Sequence, residues 1–414
     1  MKSCPECMRV WPDDAGFCPA DGMQLKPADL VPVARTNDPL LGTLLCGRYE
    51  LRRMVAAGGM GRVYESIDQQ INARVAVKVL HEEVAQNPLQ LERFKREYEI
   101  SSQLPHEFIV KVFDFQHDPA LGAWLLVMEF LDGEELRGVL KRDHQVSPER
   151  LVRMISQIAM GLEGAHAKKF VHRDLKPDNL FLCGTREGDD VKILDFGSVK
   201  NKNDTAKKLT TLGTQIGSPF YMAPEQAQGL DTVDARADVF ALAAITYECV
   251  TGEVPFAGTS GPSILFALLS TNPDPPSSKN EQVKYPIPRA LDPLMDVALA
   301  KDPDLRTKSV GDFASALGHA YGLTGNPMTW AHLAQGDLAR QIAEASARVA
   351  ATDRFVAPRS SADQQPAPLT APNVHPANHA GVPARRPVRL VLAVAGILLA
   401  LVVGIIAVIV LRHR

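Results

Sequence analysis

The octapeptide His172-Arg173-Asp174-Leu175-Lys176-Pro177-Asp178-Asn179 is followed, sixteen residues after Asn179, by Asp195-Phe196-Gly197. This short interval holds a carboxylate suited to act as a base, a lysine, and an amide and a carboxylate offering the hard oxygen ligands that Mg²⁺ prefers. Phosphoryl transfer has matching needs, because its transition state is loose and its charge is spread over the transferred oxygens, so a protein must mainly position groups and neutralise charge. Asp174 would accept the proton of an incoming hydroxyl, Lys176 would face the transferred phosphate, and Asn179 and Asp195 would hold the cation. Taken singly, His-Arg-Asp would suit a buried turn with an ion pair, and Asp-Phe-Gly a type I turn. The order and spacing together point to chemistry.

Such a set needs elements that bring a nucleotide to it. Val55-Ala56-Ala57-Gly58-Gly59-Met60-Gly61-Arg62-Val63-Tyr64 reads as two strands joined by a tight Gly-rich turn, whose backbone N–H groups can approach phosphates. Val75-Ala76-Val77-Lys78-Val79 reads as a strand, Arg93 to Glu97 as part of a helix, and Leu125 to Gly133 as a buried strand running into a turn. With the two catalytic stretches, these motifs resemble the bacterial eukaryotic-like (Hanks-type) serine/threonine protein kinases, and the resemblance runs from Arg48 to about Leu317.

The resemblance implies an α+β, two-lobed protein kinase fold with a β-rich N-lobe and an α-helical C-lobe, and ATP with Mg²⁺ or Mn²⁺ as cofactors. The Gly-rich turn from Val55 to Val63 would cover the phosphates. Lys78 would bind the α and β phosphates and pair with Glu97. Met128 would be the gatekeeper, the backbones of Glu129 and Leu131 would bond the adenine edge, and Val63, Ala76 and Phe181 would sandwich the base. Ala56 stands where the family has its first glycine, a departure expected to restrict the backbone there. Asp238 would tether the catalytic loop and Arg306 would pair with Glu225. Between Asp195 and Ala223-Pro224-Glu225 lies an activation segment with Thr205, Thr210, Thr211, Thr214 and Ser218, where a phosphate on Thr210, Thr211 or Thr214 would meet Arg173. Lys176 favours Ser and Thr over Tyr as acceptors.

The remaining composition bounds the rest. A chain of 414 residues has room for two or three domains, and a net charge of −3 gives no general reason to expect nucleic acid as a partner. Of six cysteines, Cys46, Cys183 and Cys249 are scattered, which argues against a disulfide framework and for a reducing compartment. The N-terminus has no apolar signal-peptide region. Five boundaries are expected: a module at 1–26, a linker at 27–45, the kinase domain at 46–320, a juxtamembrane segment at 321–389, and an apolar run at 390–411 before the short tail 412–414.

Cys4-Pro5-Glu6-Cys7 and Phe17-Cys18-Pro19-Ala20-Asp21 have the shape of a small zinc ribbon, with Cys4, Cys7, Cys18 and Asp21 as the ligands of one Zn²⁺ and a redox-sensitive cysteine cluster as the alternative. Trp330, Leu333, Leu338, Ile342, Ala345 and Val349 recur at helical spacing, predicting a short amphipathic helix that could pack on the kinase, lie on a membrane or pair with its copy. Pro358 to Pro387 reads as a disordered tether. Leu390 to Leu411 is 22 residues without a charge. As a helix it would span about 33 Å, enough for a bilayer core of about 30 Å. It reads as a single transmembrane helix, with Arg385, Arg386 and Arg389 before it and Arg412, His413 and Arg414 after it. Gly396, Ala400 and Gly404 share one face and would permit close pairing of two copies.

The expectation is therefore a membrane-anchored kinase of protein Ser and Thr, itself included, working as a dimer on the cytoplasmic face of a bacterial membrane. The rivals are a pseudokinase scaffold, favoured only by Ala56, and a small-molecule kinase, disfavoured by the peptide-platform character of Ser218 and Ala223-Pro224-Glu225.

Overall fold

The computed structural model describes residues 2–3, 10–11, 26–27, 38–196 and 219–355. At the N-terminus Lys2–Ser3 (β1) pairs antiparallel with Val10–Trp11 (β2) and with Lys26–Pro27 (β3). Cys4, Cys7, Cys18 and Asp21 lie outside the described residues, as do Gly197 to Ser218, the tether and the apolar run 390–411. Among the described residues no helix is long and apolar enough to cross a membrane.

The first lobe is a six-stranded antiparallel sheet in the order β4-β5-β6-β7-β9-β8: Leu44–Leu45, Tyr49–Ala57, Gly61–Asp68, Ala73–Leu80, Ala123–Glu129 and Val112–Asp118. Alternate residues of a strand face opposite ways, and β7 shows why that matters. Val75, Val77 and Val79 are buried with Tyr49, Leu51, Tyr64, Leu125 and Val127 on one face. Lys78 and Ala76 therefore share the other face. Residues directly opposed in an antiparallel pair lie on the same side, so Val63, opposite Lys78, and Met128, opposite Ala76, join them.

After the short helix Glu82–Ala85 (α1) comes Pro88–Ser101 (α2), started by Asn87, whose side chain accepts from the N–H of Leu89 at 3.1 Å, and by Pro88 at the first helical position. Phe94 of α2 packs with Leu80 and Leu126 on the face that carries Lys78.

Gly133–Glu135 (β10), Leu180–Thr185 (β11) and Gly188–Ile193 (β12) form a small antiparallel sheet at the top of the helical lobe. The helices are Leu136–Asp143 (α3), Pro148–Ala167 (α4), Pro224–Ala227 (α5), Arg236–Thr251 (α6), Gly261–Ser270 (α7), Leu291–Ala298 (α8) and Val310–Ala320 (α9). Every residue of α6 from Ala237 to Val250 is buried, so it is the central pillar of this lobe. Gly252, at φ 79°, ends it in the left-handed conformation that glycine adopts without penalty.

The periodic segment beyond residue 320 forms two helices, Pro327–His332 (α10) and Gln335–Phe355 (α11), where the spacing predicted one. Of the docking modes open to it, the structure has it packed on the kinase body against α4: Trp330, Leu338, Ile342 and Ala345 are buried in the large core.

Candidate active site

The Gly-rich turn joins β5 to β6. The Gly58 N–H donates to the Gly61 carbonyl at 2.9 Å, and the His81 N–H donates to the Met60 carbonyl at 3.1 Å. Gly61 is required by close approach, since a Cβ there would lie 2.2 Å from the Val79 carbonyl oxygen. Val55 to Gly59 are exposed around the turn, open to a ligand. Ala56 sits in β5 opposite Val63 and is not among the residues with positive φ, so the missing glycine imposes no strain.

Lys78 lies with its ammonium 3.4 Å from both Glu97 of α2 and Asp195 beyond β12. Both carboxylates compete for one cation, and the outcome differs between them. Lys78 holds Asp195, whose side chain is about half exposed, down to about 2. Burial and the nearby Asp195 push Glu97 well above the ordinary carboxylate range against the pull of Lys78. Burial alone would lower Lys78, but the two carboxylates raise it above the usual lysine range.

The catalytic loop is held from below. Asp238 of α6, fully buried, accepts hydrogen bonds from the His172 N–H at 2.8 Å, the Arg173 N–H at 2.9 Å and the His166 ring at 2.8 Å. His172 is itself buried: its Nδ1 accepts from the Asp174 N–H at 3.3 Å, its Nε2 donates to the Leu194 carbonyl at 2.9 Å, and its ring packs edge-on against Phe196. Arg173 and Asp195 both have positive φ, 64° and 57°, a conformation that costs a non-glycine residue about 1–2 kcal/mol. The Asp174 carboxylate accepts from Lys176 Nζ at 2.8 Å, and Asn179 Nδ2 donates to the Asp174 carbonyl at 2.7 Å. Base, lysine and amide thus form one bonded set.

That commitment of Nδ2 leaves the Asn179 side-chain oxygen as the atom for a cation, and Asp195 adds a carboxylate kept ionised by Lys78. A pair of hard oxygens of this kind fits Mg²⁺ or Mn²⁺. Among the described residues no group of three or more His, Cys, Asp or Glu is arranged to hold a metal, and the expected zinc ligands lie outside them.

The nucleotide-edge residues lie where the strands put them. Glu129 ends β9; its N–H donates to the Lys111 carbonyl at 2.9 Å and its carboxylate pairs with Lys192 at 3.0 Å, so the adenine contact expected there falls to its carbonyl. Leu131 follows in the link to β10, and Phe181 in β11 is opposite Glu135. Glu135 escaped sequence reasoning: it lies opposite Phe181 in the small sheet, and partial desolvation together with the nearby Asp178 and Asp195 raises its carboxyl. Arg137 also escaped it. From α3 it binds Asp178 at 3.2 Å, Glu248 at 3.0 Å and the Tyr221 hydroxyl at 2.6 Å, joining the catalytic loop to α6 and to the turn before Ala223. Neither carries a spacing signal, because their partners are distant in sequence.

Both structural roles expected from sequence are present: Asp238 tethers the catalytic loop, and Arg306 grips buried Glu225 with two hydrogen bonds of 2.7 Å. Arg173 donates to the Val233 carbonyl at 3.0 Å, while its buried Nε has no partner among the described residues. The sites Thr205, Thr210, Thr211, Thr214 and Ser218 lie outside those residues.

Comparison with known proteins agrees with this geometry. The chain is 37% identical over 282 residues to the serine/threonine-protein kinase PknA of Mycobacterium tuberculosis, covering 67% of this chain and 62% of that protein. It is 40% identical over 289 residues to Pkn1 of Myxococcus xanthus, covering 69% of this chain and 40% of that one. The chain therefore spans less than two thirds of these curated relatives. The crystal structure of the M. tuberculosis PknI kinase domain superposes with a TM-score of 0.53 at 26% identity, covering 68% of this chain and 98% of that domain. Residues 49–321, well over half of the chain, match the protein kinase domain, and the chain belongs to that family.

Proposed function

We propose that the protein is an ATP-dependent serine/threonine protein kinase. The observation that carries this reading is the Lys78 ammonium 3.4 Å from both Glu97 and Asp195, opposite an Asp174–Lys176–Asn179 set that is already bonded. A scaffold that only binds partners has no use for an assembly drawn from β7, α2, the catalytic loop and the end of β12. In the reaction, a substrate hydroxyl positioned by Asp174 gives its proton to that carboxylate as its oxygen bonds to the γ phosphorus. The bond to the β-phosphate oxygen breaks, and ADP leaves. Lys176 moves from Asp174 to the transferred oxygens, and Lys78 holds the α and β phosphates. Asn179 and Asp195 would hold Mg²⁺, which when bound would supply charge neutralisation to the transferred phosphate.

Asp174→Asn is expected to keep ATP binding while lowering transfer about 10²–10⁴-fold, the usual worth of a positioned base. Labelled-ATP autophosphorylation and nucleotide titration of the same preparation test it. Wild-type labelling by the variant would defeat the assignment.

The same reading extends to the regions outside the described residues. Lys176 favours protein Ser and Thr as acceptors, and the unpartnered Nε of Arg173 suits a phosphate on Thr210, Thr211 or Thr214 delivered by a second copy. The uncharged run 390–411 would anchor the chain with the kinase on the cytosolic side, where ATP is, and Cys4, Cys7, Cys18 and Asp21 would bind one structural Zn²⁺. Phosphosite mapping, membrane fractionation with and without 390–411, and elemental analysis of Cys18→Ser test these three assignments. An unmodified segment in active protein, unchanged partitioning, or zinc content indifferent to Cys18 would remove them in turn.

A further inference from the structure

The kinase match ends at residue 321, yet the chain goes on to dock α10 and α11 on the kinase body. Trp330 is fully buried and lies so close to Gly318 that a Cβ there would meet the indole at 2.2 Å. At the end of α10 and just beyond it, α4 captures two carbonyls: Gln157 Nε2 donates to Ala331 at 2.9 Å, and the Arg153 guanidinium donates to Leu333. The same two side chains hold β12. Gln157 Oε1 accepts from the Val191 N–H at 2.9 Å, and Arg153 donates to the Asp189 carbonyl at 3.1 Å and the Asp190 carboxylate at 2.8 Å. The Gln335 N–H then donates to the Glu187 carbonyl at the tip of the β11–β12 hairpin, at 2.7 Å.

This hairpin carries the cation ligands at its other end. Asn179 immediately precedes β11, Asp195 comes two residues after β12, and the Leu194 N–H closes the gap by donating to the Asn179 carbonyl at 2.9 Å. β11 also pairs with β10, but β12 is the edge strand of this small three-stranded sheet, so its twist and position depend on what packs along its free side. Here the hairpin's closed end is held by Gln335 from beyond the family match, and one flank by Arg153 and Gln157 of α4, which also bind α10 and the link to α11, while on the other side the Phe108 carbonyl accepts from the Ile193 N–H at 2.8 Å and the Phe108 ring lies 5.8 Å from that of His332 of α10.

We infer that residues 327–345 are a positioning element for the metal-binding pair, bracing the β11–β12 hairpin so that Asn179 and Asp195 are presented at a set separation. The inference rests on the kinase reading, and its test separates the two.

Gln335 is the first residue of α11, where a helix does not use its N–H, and Ala334, whose carbonyl accepts from Asp337 and Leu338, is a capping residue that tolerates a following proline. Gln335→Pro in the full-length protein therefore removes one hydrogen bond to the hairpin, and Gln335→Ala retains it. The probe is Mn²⁺, titrated calorimetrically into protein saturated with a non-hydrolysable ATP analogue. The Mn²⁺ dissociation constant is expected to rise at least about threefold in Gln335→Pro and to stay near wild type in Gln335→Ala. Trp330→Leu, which loosens α10 from Gly318, is expected to move it in the same direction. Wild-type Mn²⁺ affinity in folded Gln335→Pro or Trp330→Leu overturns the bracing role and leaves the kinase reading standing. Failure of the wild type itself to bind Mn²⁺ with the analogue removes the kinase reading.

Discussion

Asp238→Asn tests whether the catalytic loop owes its shape to one buried carboxylate. One oxygen of Asp238 serves both the His172 N–H and the His166 ring, and the other serves the Arg173 N–H. The best placement of an asparagine keeps its oxygen on the first two and points its NH₂ at the Arg173 N–H, donor against donor. A buried donor left without a partner costs about 1–3 kcal/mol, and a hydrogen bond to a charged group contributes roughly 1.5–3 kcal/mol. The left-handed backbone of Arg173 costs about 1–2 kcal/mol, so the lost bond is comparable with the strain it offsets. Arg173 is then released toward negative φ, and the displacement falls on the next residue, Asp174.

The loss of this one bond, about 1–3 kcal/mol, lies well within the 5–15 kcal/mol that stabilises an ordinary domain, so the variant should fold with a lower melting temperature. A misplacement of the base by an ångström is worth on the order of 10²-fold in rate. The expected result in steady-state phosphorylation is a kcat lower by about that factor with KM for ATP nearly unchanged, because Lys78 and the Gly-rich turn do not touch Asp238. A variant with reduced melting temperature and wild-type kcat would refute the reasoning, since the tether would then stabilise α6 without shaping the loop.

Two further outcomes follow from charge placement. Because the pKa of Glu97 is raised in the folded protein, its protonated form favours folding. That contribution is present below the ordinary glutamate range and is lost as pH rises through the raised value, so without nucleotide Glu97→Gln should melt above wild type at pH 8, with a gap that narrows toward pH 5, while transfer activity falls. Thermal scans across pH check it, and a variant less stable than wild type at pH 8 refutes it. Arg306→Met leaves Glu225 buried without its partner, a loss of about 3–5 kcal/mol, whereas the pair Arg306→Met with Glu225→Leu should recover much of it, since an apolar replacement removes both charges. Melting curves of the single and double variants decide, and equal loss in both would show that the pair's other bonds, such as Arg306 Nε to the Ala300 carbonyl at 2.7 Å, carry the stability.

What could be read from the sequence divides by the distance over which each residue acts. Asp174, Lys176 and Asn179 are bonded to one another within six residues, so the chemistry constrains their spacing directly and the motif is visible. Lys78 and Glu97 are further apart, but each sits on an element with its own periodicity, and only the family resemblance joined them. Arg153 and Gln157 had no such support. They stand on α4 among apolar residues and their partners lie between 33 and 180 residues away, so nothing local marks them as more than polar breaks in a buried face. The segment after residue 326 shows the same limit from the other side. Its helical spacing was legible, but the break was not: Leu333 is extended, with φ −70° and ψ 142°, and the cap is Ala334, whose side chain offers no hydrogen-bonding signal. Because α4 takes the carbonyls of Ala331 and Leu333, the break is stabilised by partners from elsewhere in the chain. A pattern of apolar residues can therefore say that a helix docks, while the polar groups that receive it decide where it bends and which part of the active site it reaches.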